Sequence, residues 1–427
     1  MLSVKDNERL VRVGPGQPAG ELFRRYWQPA LLSSELPEND GEQVEVRLLG
    51  EDLIAFRDTN GKVGLVDAYC PHRRAPMFYA RNEECGLRCV YHGWKFDVDG
   101  KCLEVPNEPA GSPMKDKARM KAYPTFEGGG VVWTYMGPPE LKPPVPDYEW
   151  IRIPATHRHI SKTWEHANYL QALEGGLDTS HSSFLHNNRM GDNRALRQRD
   201  KSPQIDVYKT EYGYHYVSTR KAGEEGSYVR VYQYLMPAQA LRGGVYTARE
   251  RNEPPKVDGH IWVPIDDTHT HVYNLMYAYD MSVPIPEEYA QEFESFSGRG
   301  KEHLIPGTFK LRLNPSNKYM IDRQVQKTRT FTGIKGLNTQ DFALQEGMGS
   351  ANGEPIVDRS KEYLGTADKA IIEMRKLMLE ATYDVEAGKR PRGADTTECR
   401  SVRPFDGIVP TGIEWRTALQ AELNAKW

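Results

Sequence analysis

Residues 69–74, Tyr69-Cys70-Pro71-His72-Arg73-Arg74, and residues 89–94, Cys89-Val90-Tyr91-His92-Gly93-Trp94, decide how this chain is read. Each stretch offers one thiolate and one imidazole, spaced Cys-x-His and Cys-x-x-His, with sixteen residues between His72 and Cys89. Two sulfur and two nitrogen donors suit either a tetrahedral zinc or a two-iron cluster. Zinc fingers usually pair Cys with Cys in one knuckle and His with His in the other. Here each knuckle mixes the two. That favours a [2Fe–2S] centre with Cys70 and Cys89 on one iron and His72 and His92 on the other, an arrangement that raises the reduction potential.

With the trailing His92-Gly93-Trp94-Lys95-Phe96 and Gly100, the pattern resembles the Rieske motif of the Rieske non-haem iron oxygenases. Rieske electron carriers of respiratory chains share the cluster, but their motif has an extra Cys in each knuckle, and the two form a disulfide. Ala75 and Tyr91 stand at those places here, so the resemblance points to the oxygenase branch.

Composition agrees. At 427 residues the chain has room for two or three domains. The formal charge is −3 and the basic residues are scattered, which gives nucleic-acid binding little support. No apolar run approaches the length needed to span a bilayer, and the polar start Met1-Leu2-Ser3-Val4-Lys5-Asp6 does not read as a signal peptide. A cytoplasmic protein is expected. Cys85, Cys102 and Cys399 read as inert thiols.

In chain order, residues 1–29 read as a helical segment, with Asp6-Asn7 capping Glu8–Val13 and a second helix from about Ala19 to Tyr26. Residues 30–146 read as a small antiparallel β domain: Val44, Val46 and Leu48 alternate, and Thr59-Asn60-Gly61 and Asp99-Gly100 mark hairpin turns. Pro138 to Pro146 forms a semi-rigid linker. In residues 147–427, strands are expected over Tyr212–Thr219, Tyr228–Leu235 and Gly244–Thr247, with a hairpin at Ile265–Thr268. Residues 283–318 read as a loop able to cover a pocket. A long amphipathic helix runs from Thr366 toward Gly388.

A second centre lies within Trp164–His186. Leu170, Leu173 and Leu177 follow helical spacing, with Glu174, Asp178 and His181 on an adjoining stripe. A regular helix would turn His181 and His186 about 140° apart. Both reach one metal only if the helix ends or distorts between them, for which Ser182-Ser183 is a plausible place. Two imidazoles plus a carboxylate make the facial triad of a non-haem Fe(II) site. His157, His159 and His166 lack such a pattern and read as surface residues. For the carboxylate, Asp341 opens a helix within Asn338–Glu346, with Thr339 as its cap and Leu344 and Gln345 facing inward beside it. Asp322 and Asp358 are rivals, the one in a basic run and the other in a loop.

Asp178-x-x-His181-x-x-x-x-His186 is similar to the catalytic-iron motif of the Rieske oxygenases, and the resemblance implies that His181, His186 and Asp341 bind iron. It also implies that Asp178 accepts a proton from a ligand imidazole and from a Rieske histidine of a neighbouring subunit, linking the two centres. Residues 7–16, residues 323–334, Thr339-Gln340-Asp341, Val357-Asp358-Arg359 and residues 364–368 resemble the phthalate dioxygenase group over nearly the whole chain. The implied fold is α+β: an antiparallel Rieske domain, then a helix-grip catalytic domain whose antiparallel sheet is covered by helices. The implied activity is cis-dihydroxylation of a phthalate-like or benzoate-like aromatic acid with O2. A reductase carrying flavin and a [2Fe–2S] cluster supplies NADH electrons, and the oxygenase forms a homotrimer or homohexamer. Mono-oxygenation or O-demethylation of a related acid is the alternative, and a stand-alone electron carrier or a zinc module stands behind it. A carboxylate substrate calls for arginine. Arg220 and Arg242 end strands expected to reach the pocket, Arg194, Arg197, Arg249 and Arg251 are alternatives, and Thr179 and Ser180 add hydroxyls.

Overall fold

Strands of the smaller unit follow alternation: in Val44–Leu48, Val46 and Leu48 are buried while Glu45 and Arg47 face water. The computed structural model describes residues 1–191, 195–250, 253–349, 354–395 and 397–425, without the side chains of 247, 249 and 250. It divides into two units. One comprises Val13–Gly16 and Gly20–Pro146, the other Met1–Arg12, Gln17–Ala19 and Asp147–Trp427. Residues 1–29 are thus shared between units.

The smaller unit holds three antiparallel sheets. Trp27–Leu32, Val131–Tyr135 and Thr125–Gly128 form one, and Val44–Leu48, Glu51–Arg57, Val63–Asp67 and Ala122–Tyr123 a second. The third is built of Arg81–Glu83, Gly86–Arg88, Lys95–Phe96 and Cys102–Glu104. Ile54, Phe56, Val66, Met77, Leu87 and Phe96 pack around Cys70 and Cys89 in one apolar cluster, so both knuckles stand on a closed core.

The larger unit is built on an eight-stranded antiparallel sheet. Its order is Arg158–Glu165, Thr270–Tyr277, Val257–Pro264, Gln239–Gly243, Ser227–Leu235, Gly213–Lys221 and Gln204–Lys209, with Phe405–Val409 added beside Ser227–Leu235. Gln239–Gly243 pairs with residues 232–235 of Ser227–Leu235, and Phe405–Val409 pairs with residues 227–231. A Cβ at Gly243 would lie 2.5 Å from the Phe405 carbonyl carbon, so glycine stands where the two strands meet. This corrects the expectation for Gly244–Thr247, which is not a strand. The sheet edge ahead of it is taken by Phe405–Val409, and the chain turns into the helix Val245–Glu250, where Tyr246 N–H donates to Asp406 Oδ1 at 3.0 Å.

Other differences have local causes. The first helix is Val4–Val11, capped by Ser3 rather than by Asp6-Asn7. It belongs with the larger unit, since Asn168 Nδ2 donates to Val11 O at 2.9 Å and Tyr169 Oη to Leu10 O at 2.7 Å. The second helix is Pro18–Phe23. Residues 283–318 are not all loop: Glu287–Ser297 is a helix with acidic residues in its first turn, closed by Gly298 in the left-handed region. The C-terminal helix, Lys369–Glu386, packs on Gln204–Lys209 and Gly213–Lys221, with Lys209 paired to Glu373 at 2.8 Å. No helix among the described residues is long and apolar enough to cross a membrane.

Candidate metal centres and active site

The two knuckles are built alike. Cys70 N–H donates to Ala75 O at 2.9 Å and Arg74 N–H to Cys70 O at 2.8 Å; Cys89 N–H donates to Trp94 O at 2.8 Å and Gly93 N–H to Cys89 O at 2.9 Å. Arg74 and Gly93, each four residues after its cysteine, both have positive φ, 58° and 76°. Glycine is required at 93, where a Cβ would meet Pro106 Cγ at 2.6 Å. Arg74 holds the same conformation with its guanidinium on Asp67, at 3.1 Å, and over the Tyr69 ring. The His72 and His92 rings lie 4.5 Å apart, and His72 stacks on Trp94. Both sulfurs are buried. Burial pushes the Cys70 thiol up to about 11, backbone N–H groups of His72 and Arg73 oppose this, and the neighbouring Cys89 adds to it. Two buried sulfurs stand beside two facing imidazoles. Such a donor set fits an iron–sulfur cluster.

In the larger unit, Asn168 caps the helix Tyr169–Leu177, which ends at Asp178. The break therefore comes before His181, earlier than Ser182-Ser183, and His181–Ser183 forms a 3₁₀ turn that swings His181 toward His186. Asp178 organises this turn: its Oδ1 accepts from Ser180 N–H and Oγ, both at 2.7 Å, and its Oδ2 lies 3.4 Å from His181 Nδ1. Gly176 lets the helix approach the sheet, for a Cβ there would lie 2.1 Å from the Trp262 ring.

His181, His186 and Asp341 converge: one ligand atom from each lies within 4.8 Å of the other two. His181 Nε2 and His186 Nε2 are 3.1 Å apart, and Asp341 Oδ1 lies 3.3 Å from His186 Nε2 and 3.7 Å from His181 Nε2. Metal bonds near 2.1 Å set at right angles place donors about 3 Å from one another. The Nδ1 atoms face Asp178 and Gln340 Oε1, the latter at 2.9 Å. Bare Nε2 lone pairs at this separation repel unless a cation lies among them. Burial pulls the Asp341 carboxyl up, but His186 and His181 outweigh it and hold it below the usual range. The residues fit a mononuclear iron with two imidazoles and one carboxylate.

Asp341 sits in the second turn of the helix Leu337–Gln345. The helix begins after Gly336, not at a Thr339 cap, and Thr339 is buried. Gln345 faces inward as expected, whereas Leu344 is exposed. The rival carboxylates cap other elements: Asp322 accepts from Gln324 and Val325 N–H, and Asp358 accepts from Ser360 N–H. Contrary to the surface reading, His157 is buried, 3.1 Å from Met281 O. Sequence reasoning gave Gln340 no part and Glu174 only a general polar one. Glu174 is buried between Arg359 and Arg375, with the shortest contacts at 2.9 and 2.7 Å.

The description "Rieske [2Fe-2S] domain" matches residues 26–126, and "LigXa C-terminal domain like" matches residues 134–426. The phthalate 4,5-dioxygenase oxygenase subunit of Pseudomonas putida is 38% identical over 97% of this chain and 94% of its own length. The chain belongs to the Rieske oxygenase family. The 3-chlorobenzoate-3,4-dioxygenase oxygenase subunit of Comamonas testosteroni is 36% identical over 99% of each chain. Among solved structures, Pseudomonas putida CBB5 NdmA shares the fold, with a TM-score of 0.63 at 17% identity over 92% of this chain and 99% of NdmA. The cofactors of this Rieske oxygenase are a [2Fe–2S] cluster and a non-haem iron.

A cavity of about 780 Å³ opens beside the triad, large enough for a small aromatic substrate. Among the described residues, seven Arg or Lys side chains line it against four Asp or Glu, the latter including Asp178 and Asp341. Arg220, Arg242 and Thr179 all lie on its wall. Arg220 is committed to the protein: it donates to Thr179 O at 3.1 Å, to Asp200 O and to Ser183 Oγ, bracing the His181 turn. Thr179 Oγ1 lies 2.6 Å from Tyr232 Oη. Arg242 gives only its Nε to Asp258; among the described residues its terminal nitrogens have no hydrogen-bond partner. Arg197 lines the wall too, donating to His186 O at 3.3 Å. Arg194, Arg251 and the Arg249 side chain lie outside the described residues. From 283–318, Phe293, Phe296, Ser297 and Arg299 form part of the wall.

Proposed function

We propose that this Rieske oxygenase adds both atoms of O2 to the ring of an aromatic carboxylic acid, giving a cis-dihydrodiol. The reaction balances as arene, O2, NADH and a proton yielding the diol and NAD⁺. A flavin and [2Fe–2S] reductase passes on the electrons one at a time. Cys70, His72, Cys89 and His92 hold the cluster that receives them, and His181, His186 and Asp341 hold the iron, which supplies the site for O2 reduction. Asp178 accepts from His181 and, in the assembled homotrimer or homohexamer, from a Rieske histidine of a neighbouring copy. It carries electrons and protons between the centres. A cytoplasmic location goes with this NADH supply.

The observation that carries the substrate class is the cationic excess of the cavity wall beside the triad. Arg242 is a candidate for the substrate carboxylate, because its fork is open at both terminal nitrogens among the described residues. Arg220 holds the loop that bears His181, and Thr179 with Tyr232 gives a hydroxyl pair on the same wall. The relatives named for phthalate and 3-chlorobenzoate support an acid substrate. Mono-oxygenation is the second reading: a 5,5'-dehydrodivanillate O-demethylase oxygenase subunit of Sphingobium is 33% identical over 92% of this chain.

The deciding experiment is ¹⁸O2 turnover across benzoates, phthalates and aryl ethers with a matched reductase. Two labelled atoms in one product mark dioxygenation, and one labelled atom marks the second reading. His181→Ala is expected to keep the visible cluster spectrum and lose all product; product formed by that variant refutes the iron assignment.

A further inference from the structure

We propose that Gln340 is the positioning residue that sets the tautomer of His186, so that the two iron-binding imidazoles are held by unequal partners: His181 by the anionic Asp178, His186 by a neutral amide. The inference rests on the reading of His181, His186 and Asp341 as the iron site.

Gln340 is 1% exposed and directly precedes Asp341 on the helix Leu337–Gln345. Its amide nitrogen donates to Asn188 Oδ1 at 2.9 Å and to Ile334 O at 2.8 Å. Ile334 O is a main-chain carbonyl and can only accept. Rotating the amide by half a turn would set two oxygens against each other there, so Oε1 is the atom that must face His186. The His186 Nδ1 at 2.9 Å from Oε1 then carries the proton, and Nε2 keeps its lone pair toward Asp341 and His181. The orientation is thus read from a fixed acceptor, and the choice passes from Ile334 O through the amide to the metal-facing nitrogen. On the other imidazole the same place is taken by Asp178, held by Ser180. A carboxylate polarises its imidazole more strongly than an amide does, which makes His186 the weaker donor of the two.

The test uses the full-length protein with its cluster intact and the mononuclear site emptied, titrated with Fe(II) or Co(II). Gln340→Leu removes acceptor and donors together; Gln340→Glu keeps the acceptor and loses the amide donors. The expected result is metal affinity about 10- to 100-fold weaker in Gln340→Leu, a smaller loss in Gln340→Glu, whose second carboxylate oxygen faces Ile334 O, and an unchanged Rieske spectrum in both. Equal weakening in both variants would mean that the amide serves only to brace the 188 and 334 segments, and wild-type affinity in Gln340→Leu would mean that it does nothing for His186. Either overturns the proposal. If Gln340→Leu does not fold, the ligand-field absorption of bound Co(II) decides: it shifts in Gln340→Glu if His186 has become a stronger donor, and unchanged bands refute the idea. His186→Ala is the control. Metal retained in that variant, or absent from the wild type beyond the cluster, overturns the site itself, an outcome distinct from failure of Gln340 alone.

Discussion

Replacing Glu174 with glutamine tests how the helix that leads into the His181 turn is anchored. Glu174 lies on the helix Tyr169–Leu177 and accepts the Asp178 N–H at 3.1 Å through its own carbonyl. Its carboxylate takes Arg359 Nε at 2.9 and 3.1 Å, Arg359 Nη2 at 2.9 Å and Arg375 Nε at 2.7 Å. Arg359 also reaches Asn7 Oδ1 at 3.1 Å, and Arg375 reaches Glu362 at 2.6 Å. One carboxylate therefore ties together the helices Val4–Val11, Tyr169–Leu177 and Lys369–Glu386. Glu174→Gln keeps the shape and leaves two buried guanidiniums facing an amide. Removing one partner of a buried, hydrogen-bonded pair costs about 3–5 kcal/mol. At about 2–4 °C per kcal/mol for a domain of this size, the larger unit should melt about 6–20 °C lower. Calorimetry measures the loss, while the visible Rieske spectrum followed in the same scan reports on the other unit. A fall of less than about 2 °C would show the network to be worth no more than a surface ion pair. The acid limb adds a second readout. Burial opposes ionisation of Glu174, but Arg359 and Arg375 outweigh it and hold the carboxyl below its ordinary value of 4.5. Its contribution is complete above the unfolded value and is lost as pH falls through the lower folded value. Glu174→Gln should flatten that part of the stability profile.

Gly176→Ala gains about 1 kcal/mol of helix propensity but sets a Cβ 2.1 Å from the Trp262 ring. The expected outcome is a net loss of stability and of mononuclear iron, measured by calorimetry and metal analysis; a more stable protein with full iron would show that the close approach is unimportant. Arg242→Lys keeps the charge beside Asp258 and loses the fork. With one charge-assisted hydrogen bond worth about 1.5–3 kcal/mol, KM for an aromatic acid should rise about 10- to 150-fold, and an unchanged KM would move the carboxylate elsewhere on the wall. Asp178→Asn should leave both metals bound and stop electron transfer; normal reduction of the mononuclear site in a single turnover would count against a bridge through Asp178.

Much of the site was legible because it is locally encoded. Cys70, His72, Cys89 and His92 sit on short loops whose chain geometry is set within a few residues, and His181 and His186 follow one helix end. Asp341 was singled out by its likeness to the family's late aspartate at a helix start, and the structure places its rivals Asp322 and Asp358 as caps of other elements. The helix Glu287–Ser297 escaped notice because proline, glycine and charge around it mimic a loop. Val245–Glu250 was misread because its apolar start looks like a strand, and only the arrival of Phe405–Val409 from far along the chain takes that edge.

By itself, then, the sequence determined the donor types, the order of the two centres and the sheet-rich plan, because ligand spacing and side-chain alternation are properties of neighbouring residues. Tertiary structure alone decided which partners the wall arginines take, which groups lie against the imidazole Nδ1 atoms, and that Glu174 is held by Arg359 and Arg375. Those depend on hydrogen bonds between residues far apart in the chain: Arg220 with Thr179, Gln340 with His186, Arg359 with Glu174. A donor's partner is set by distance and burial in the folded state, and neither is written into local spacing.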